Sequence, residues 1–574
     1  MNISVGQLRK PDGNMTENDG DTAEVLGEFF KSVFVEEDDK SIPEFDPRVE
    51  NREAIYDINF TLDDVTNRLK SLKVDKSPGP DNLYPLVLKE CHEQLALPLF
   101  IIFRKSLDEG SLPEDWKIAN VTPIFKKGPR SEPGNYRPVS LTSQVCKIME
   151  SLIRGNLLRH VENFNLQTEH QHGFTRNKSC LSNLLETLEA WTEALDHGYG
   201  VDAVYLDYMK AFDRVPHKRL MEKLHGYGIH GKAHTWISDF LTKGKQRVVV
   251  KDATSEWIEV SSGVPQGSVL GPILFLLYVN ELPEIVTSGI KMFADDTKMF
   301  QVIRSQDDAD VLQNNLDSLS EWSDKWLLRF NTSKCKVMHI GYRSSDREYN
   351  MLKPDGSGER AVLDISEAEK DVGVWISRDL KPSTQCSKSV TKATNVLRSI
   401  RRAFRYWDKP SFTMLYKTYV RPHLEYCVQA WSPYFIKDMK LIESVQRRAT
   451  RLVPSLKHFP YEERLKALDL YSMESRRLRG VIIETFKILK GFTKVDYTQF
   501  FTLAETSRTR GHPLKLLKPR ARLGVRQHFF SHRVVDPWNR LSEKCVAAKT
   551  VLDFKIELDK QWKRDGHGYS IGYA

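Results

Sequence analysis

Cysteine is scarce in this sequence, with 7 in 574 residues, and no two stand at C-x-x-C spacing. The odd, scattered count argues against a zinc module and fits reduced thiols. Scattered thiols suit a reducing compartment, so location in the nucleus and cytoplasm is expected. Long apolar runs are also missing. The longest, Ile273–Val279, lies between Pro272 and Asn280 and is far too short to cross a bilayer. The amino terminus lacks the charged-then-apolar pattern of a secretion signal. No membrane partner is expected, and no fixed-period repeat is present.

What remains is 40% hydrophobic and 28% charged, the balance of a soluble globular protein. The length predicts a few domains or one multi-lobed enzyme. The net charge of +8 conceals a gradient. Residues 1–60 carry 6 Lys/Arg against 15 Asp/Glu, a net of −9. Residues 61–380 carry 40 against 45, a net of −5. Residues 381–574 carry 39 against 17, a net of +22. Such a block attracts a polyanion, most simply nucleic acid, although solvated helix faces would look the same.

Residues 1–20 read as linker. A helix is expected from Asp21 or Thr22, with Val25, Leu26, Phe29, Phe30 and Val33 at helical spacing. The acidic run Glu36–Asp39 reads as a solvated loop. A second helix is expected from Thr61 to Leu72, with Asp64 completing a capping pair. Further helix is expected over Leu83–Phe103 and Val139–Arg159. Strands are expected at Val121–Phe125, Val201–Leu206, Arg247–Lys251, Trp257–Val260, Ile290–Phe300, Lys336–Ile340 and Val372–Ile376. From about Lys388 the chain reads as helical. The fold class is therefore α+β, followed by a basic helical region.

Three acidic residues stand out. Asp207 ends an apolar strand, and Asp295-Asp296 sits between apolar flanks as the turn of a hairpin. Adjacent carboxylates repel, and a hard divalent cation relieves the repulsion. A third carboxylate would allow two ions to be clamped for in-line phosphoryl transfer. Alone, an Asp-Asp pair is more often a solvated turn. The run Ser262–Pro272 adds a loop in which Gly267 permits close backbone approach and Gln266 offers donor and acceptor groups.

Read together, Leu206–Asp213, Gly263–Ser268 and Phe293–Asp296 resemble the reverse transcriptases of non-LTR (LINE-type) retrotransposons, of the jockey and chicken-repeat-like lineages. Lys76–Asp81, Trp116–Gly128, Asn135–Leu141, Gln171–Phe174, Asn331–Lys336, Asp371–Val374 and Tyr419–Cys427 extend the resemblance from about residue 20 to the end. It implies a right-hand polymerase of fingers, palm and thumb. The expected divisions are an acidic linker and helix (1–60), a fingers extension (61–106), fingers and palm (107–377), a thumb (378–460) and a basic C-terminal region (461–574).

The resemblance makes Asp207, Asp295 and Asp296 the catalytic ligands of two Mg²⁺ ions, with Mn²⁺ as a substitute. Phe212 would exclude a 2′-OH. Gln266 and Gly267 would lie along the nascent base pair. Arg137 would grip the triphosphate, assisted by Lys126 or Lys127. Lys334, or else Lys336, would protonate the pyrophosphate. Asp213, His172 and His217 read as structural. The partners implied are an RNA template, a DNA primer or target, and dNTPs. The basic clusters Arg401-Arg402, Arg447-Arg448, Arg476–Arg479 and Lys515–Arg520 would hold nucleic acid, and Trp407, Trp431 and Trp538 read as core. Complete elements place an endonuclease before the polymerase, and the expectation here is a polymerase module without it. The competing readings are a catalytically silent nucleic-acid-binding remnant and a two-metal nuclease.

Overall fold

The computed structural model describes residues 5–38, 42–343, 345–504 and 511–565. Its first segment departs from expectation. Leu8 is fully buried in a cluster with Leu26 and Phe30 of helix α1 (Asp19–Lys31) and with Val121 and Val248. The Leu8 N–H donates to Thr16 Oγ1 at 2.9 Å, and Thr16 is itself buried. One apolar anchor and one buried hydroxyl order a stretch whose composition reads as linker. Asn18 caps α1 by accepting the Asp21 N–H at 2.8 Å, which starts the helix at Asp19. Leu8→Ala is expected to weaken this docking by about 2–3 kcal/mol. The measurement is hydrogen exchange, with protection lost over residues 19–31 before the rest of the protein changes.

Helix α2 (Leu62–Lys70) starts at its expected cap. Thr61 Oγ1 accepts the Asp64 N–H at 3.2 Å, and the Asp64 carboxylate accepts the Thr61 N–H at 2.8 Å. Two helices, α3 (Pro85–Glu90) and α4 (His92–Glu109), replace the one expected there. Strands β1 (Ile118–Phe125) and β2 (Tyr136–Leu141) form an antiparallel hairpin. Val139–Leu141 therefore belong to a strand, not a helix. The helix begins only after Ser143, whose Oγ accepts the Val145 N–H at 3.2 Å and caps α5 (Gln144–Asn163).

Next come α6 (Cys180–Asp196), β3 (Gly200–Leu206), α7 (His217–Gly226), α8 (Gly231–Leu241), β4 (Lys245–Val250), β5 (Ala253–Thr254), β6 (Ile258–Glu259), α9 (Gly271–Val279) and α10 (Leu282–Ile285). After them stand β7 (Gly289–Phe293), β8 (Asp296–Ile303), α11 (Gln306–Lys325) and β9 (Lys336–Ile340). Short strands β10 (Asn350–Leu352), β11 (Arg360–Val362), β12 (Asp364–Ile365), β13 (Ala368–Asp371) and β14 (Val374–Ser377) lead into the long helix α12 (Ser383–Ala403).

The fold is a mixed α/β arrangement. One sheet runs β2-β1-β4-β5, with β6 also paired to β4; the other runs β12-β9-β3-β8-β7. Strand β3 is central to the second and alternates between two cores. Val204 and Leu206 face a core shared with α5, α7 and α9, whereas Val201 and Ala203 face one shared with α6 and the C-terminal helices. No described helix is long and apolar enough to cross a membrane.

Two charged segments behave differently from their sequence reading. Glu37, expected in a solvated loop, accepts the Lys218 N–H at 2.8 Å and the Arg219 N–H at 3.2 Å at the start of α7. It also pairs with the buried Arg219 guanidinium at 3.2 Å. A carboxylate there complements the helix N-terminus. Asp39 lies outside the described residues. In the C-terminal region Arg476 bonds Glu425 through two contacts of 2.7 and 2.8 Å. Arg479 bonds Asp559 through two contacts of 2.7 Å, and Arg477 is buried. That cluster holds helices together instead of facing solvent. Arg401, Arg402, Arg447 and Arg448 are exposed, and Trp431 and Trp538 are core residues as expected.

Candidate active site

The acidic site is assembled by strand register. Leu206 pairs with Thr297 across β3 and β8, so the next step sets Asp207 opposite Asp296. The β7–β8 hairpin closes with Phe293 paired to Asp296. Its two-residue turn is therefore Ala294-Asp295, not Asp295-Asp296 as the sequence suggested. Ala294 takes the positive φ of 56°, a strained choice for a residue with a Cβ. Gln171 explains how it is held. Its Oε1 accepts the Ala294 N–H at 2.9 Å and the Gly173 N–H at 2.7 Å. Gly173 passes so close that a Cβ would lie 2.4 Å from the Ala294 nitrogen.

The environment presses on these carboxylates. Burial and the facing Asp295, Asp371 and Asp207 push the Asp296 carboxyl up to about 6. Burial also raises Asp295, while Arg137 and Lys126 pull it back. Asp207 Oδ1 meets Lys334 Nζ at 3.2 Å. Lys336 pairs instead with Asp364 at 2.5 Å, so Lys334 is the lysine that reaches the site. Asp207, Asp296, Asp371, Lys298 and Lys334 line an open cleft of about 570 Å³. Among the described residues no three or more His, Cys, Asp or Glu side chains are grouped so as to hold a metal ion. The donor set nevertheless fits a hard divalent cation. Its carboxylates crowd together, and a lysine stands against one of them where positive charge is needed.

The β1–β2 hairpin carries the two cations, Arg137 and Lys126, that act on Asp295. Arg137 pairs with Ile124 in register, and both Arg137 and Lys126 are exposed. The Gln266 loop is fastened on two sides. Ser140 N–H donates to Gln266 O at 2.7 Å, and Gln266 Nε2 donates to Asp213 Oδ1 at 2.7 Å. Gly267, at φ +124°, approaches Ser140 O so closely that a Cβ would sit at 2.5 Å. Burial pushes the Asp213 carboxyl up to about 6, and the Gln266 amide opposes that shift. Asp213 therefore orients Gln266 and stands apart from the three acids. The Phe212 ring stacks on Phe275 at 4.6 Å and 16°. His172 Nδ1 lies 2.8 Å from Ser182 Oγ, and His217 Nε2 lies 2.8 Å from Gly263 O, both in structural roles.

Comparison with known proteins finds a family match in the segment that carries the acids. Residues 124–378 match the family described as "Reverse transcriptase (RNA-dependent DNA polymerase)". This match covers less than half of the chain. The chain is 29% identical over 400 residues to the "Probable RNA-directed DNA polymerase from transposon X-element" of Drosophila melanogaster, covering 67% of this chain and 43% of that protein. It is 26% identical over 410 residues to the "RNA-directed DNA polymerase from mobile element jockey" of the same fly, covering 68% of this chain and 44% of that protein. The chain thus spans less than half the length of these two relatives. The resemblance to jockey-like reverse transcriptases drawn from the motifs is borne out.

Two residues at the acidic cleft escaped the sequence reading. Asp371 appeared only within a late motif, and Lys298 only within the strand expected at Ile290–Phe300. The available signal was a lysine inside the apolar strand Thr297–Phe300.

Proposed function

We propose that the chain is an RNA-directed DNA polymerase of a non-LTR retrotransposon, extending a DNA primer 3′-OH on an RNA template by two-metal phosphoryl transfer. The observation that carries this reading is the strand register that sets Asp207 opposite Asp296, with Asp295 beside it in the β7–β8 turn. When bound at Asp207, Asp295 and Asp296, two Mg²⁺ ions supply activation of the primer hydroxyl and stabilisation of the leaving pyrophosphate. Lys334, beside Asp207, is placed to donate a proton to that pyrophosphate. Arg137 and Lys126 present exposed positive charge to the triphosphate from the β1–β2 hairpin. Gln266, oriented by Asp213, and Gly267 form the floor under the incoming base pair. The β12-β9-β3-β8-β7 sheet is the palm, the β1–β2 hairpin the fingers, and the helices after residue 378 the thumb. The exposed arginines of α12 and of the helix Ile436–Ala449 suit the duplex phosphates.

The test is incorporation of labelled dTTP on a poly(rA) template primed with oligo(dT), with Mg²⁺ and then Mn²⁺. Incorporation that needs both template and metal supports the reading. Cleavage of the duplex without dNTPs would favour a nuclease instead.

The raised Asp296 carboxyl gives a pH prediction. A carboxylate with a folded value above its unfolded one opposes folding once ionised. The metal-free protein therefore gains stability as pH falls through about 6. Protons and Mg²⁺ compete for the same oxygen, so half-saturating Mg²⁺ should rise about tenfold from pH 7 to pH 5. A Mg²⁺ titration of activity at the two values checks this.

A further inference from the structure

Two arginines of the C-terminal region lack a counter-charge. Arg477 stands on the helix Met473–Leu489 between Arg476 and Arg479, which bond Glu425 and Asp559. Arg477 itself is only 3% exposed, and its Nη1 is buried with no hydrogen-bond partner. Arg533 is held by backbone carbonyls: Nη1 donates to His528 O at 2.9 Å and Nη2 to Gln429 O at 2.5 Å. Neither guanidinium is ion-paired among the described residues. Burial and the charge of Arg477 push the Arg533 guanidinium down to about 9. Burying a cation without an anion is costly, and a neighbouring cation adds to the cost. An anion from outside the chain would relieve both.

Arg533 lines a cavity of about 480 Å³, within the size range of small-molecule sites. The cavity lies between α6, β14, the short helix Val428–Trp431 and residues 525–533. Trp375, Tyr434 and His528 give it an aromatic wall, and the Tyr434 ring stacks on His528 at 4.6 Å and 9°. Lys381 adds an exposed positive charge. Two acids act on Tyr434, and both are engaged: Asp379 pairs with Lys381 at 3.2 Å, and Asp438 accepts from Ser383 Oγ at 2.5 Å. None of Asp207, Asp295 and Asp296 lines this cavity, so it is separate from the acidic cleft.

We infer that this cavity is a second ligand site, which takes a nucleoside phosphate with its phosphate on Arg533 and its base against the aromatic wall. The inference does not depend on the polymerase reading. The two carbonyl bonds use two of the five N–H donors of Arg533, which leaves donors in a fixed fork for phosphate oxygens. Arg477 strengthens the positive potential there without needing contact. Aromatic rings accept any base through its π-face, so the site selects phosphate first and base identity second. A free nucleotide and the 5′-phosphorylated end of a strand share this chemistry.

The test is calorimetric titration of the full chain with AMP, adenosine and the trinucleotide pApApA, in EDTA so that no metal bridges a phosphate to the acidic cleft. AMP should bind at least about tenfold more tightly than adenosine, the worth of one charge-assisted contact. Arg533→Gln should weaken AMP binding about tenfold, and Lys381→Glu about threefold. Arg137→Ala should leave AMP affinity unchanged; a loss there would place the nucleotide at the triphosphate grip and overturn the inference. Tighter binding of pApApA than of AMP assigns the site to strand ends, and the reverse assigns it to free nucleotides. Thermal melting separates a ligand site from a merely structural arginine. Without ligand, Arg533→Gln should melt no lower than wild type, and AMP should raise the midpoint of the wild type alone. If Arg533→Gln does not fold, Lys381→Glu decides. Equal affinity for AMP and adenosine, or wild-type AMP affinity in Lys381→Glu, would overturn the inference.

Discussion

Replacing Asp295 with alanine is expected to lower primer extension by about 10³-fold or more. A metal ligand at a two-ion site contributes several kcal/mol of transition-state stabilisation, and about 4 kcal/mol corresponds to three decades in rate. Asp295 occupies the second position of the β7–β8 turn, opposite Arg137 and Lys126. The turn itself is held by Gln171 through backbone N–H groups, so loss of the carboxylate should leave the hairpin formed. Circular dichroism and duplex binding should therefore match wild type while single-turnover extension falls. A residual rate within tenfold of wild type would mean that Asp295 is not a metal ligand.

Phe212→Val is expected to relax sugar selection by about 10²-fold, the discrimination a shaped apolar wall achieves against one added hydroxyl. The ring is fixed in place by its stack on Phe275 and by the Val264 N–H, which donates to Phe212 O at 2.7 Å. Shortening it to valine opens the space a 2′-OH would occupy without disturbing the Gln266–Asp213 bond behind it. The measurement is the ratio of kcat/KM for a dNTP to that for the matching rNTP. Wild-type discrimination in the valine variant would remove Phe212 from the sugar pocket.

What the sequence revealed, and what it hid, follows the range of the interactions involved. The Thr61–Asp64 cap was legible because both partners lie within one helical turn. Strands at Gly200–Leu206 and Lys336–Ile340 were legible from their apolar runs. The turn register at Ala294-Asp295 was not, because Gln171, more than a hundred residues earlier, stabilises the positive φ at Ala294. Arg476 and Arg479 looked like nucleic-acid contacts, yet their partners Glu425 and Asp559 come from distant helices. Leu8 and Glu37 were misread for the same reason, since a short polar segment can be ordered by a surface that composition does not display. The three acids were legible as motifs, but not the pressure on Asp296, which needs Asp371 from a separate hairpin.

The most direct measurement is the sequence of the product made by the purified chain on a defined heteropolymeric RNA with a DNA primer, dNTPs and Mg²⁺. The account predicts a DNA complementary to the RNA, base by base, and its disappearance in the Asp295→Ala variant. Tight binding of the primed RNA with no extension in Mg²⁺ or Mn²⁺ would contradict it and leave a nucleic-acid-binding remnant.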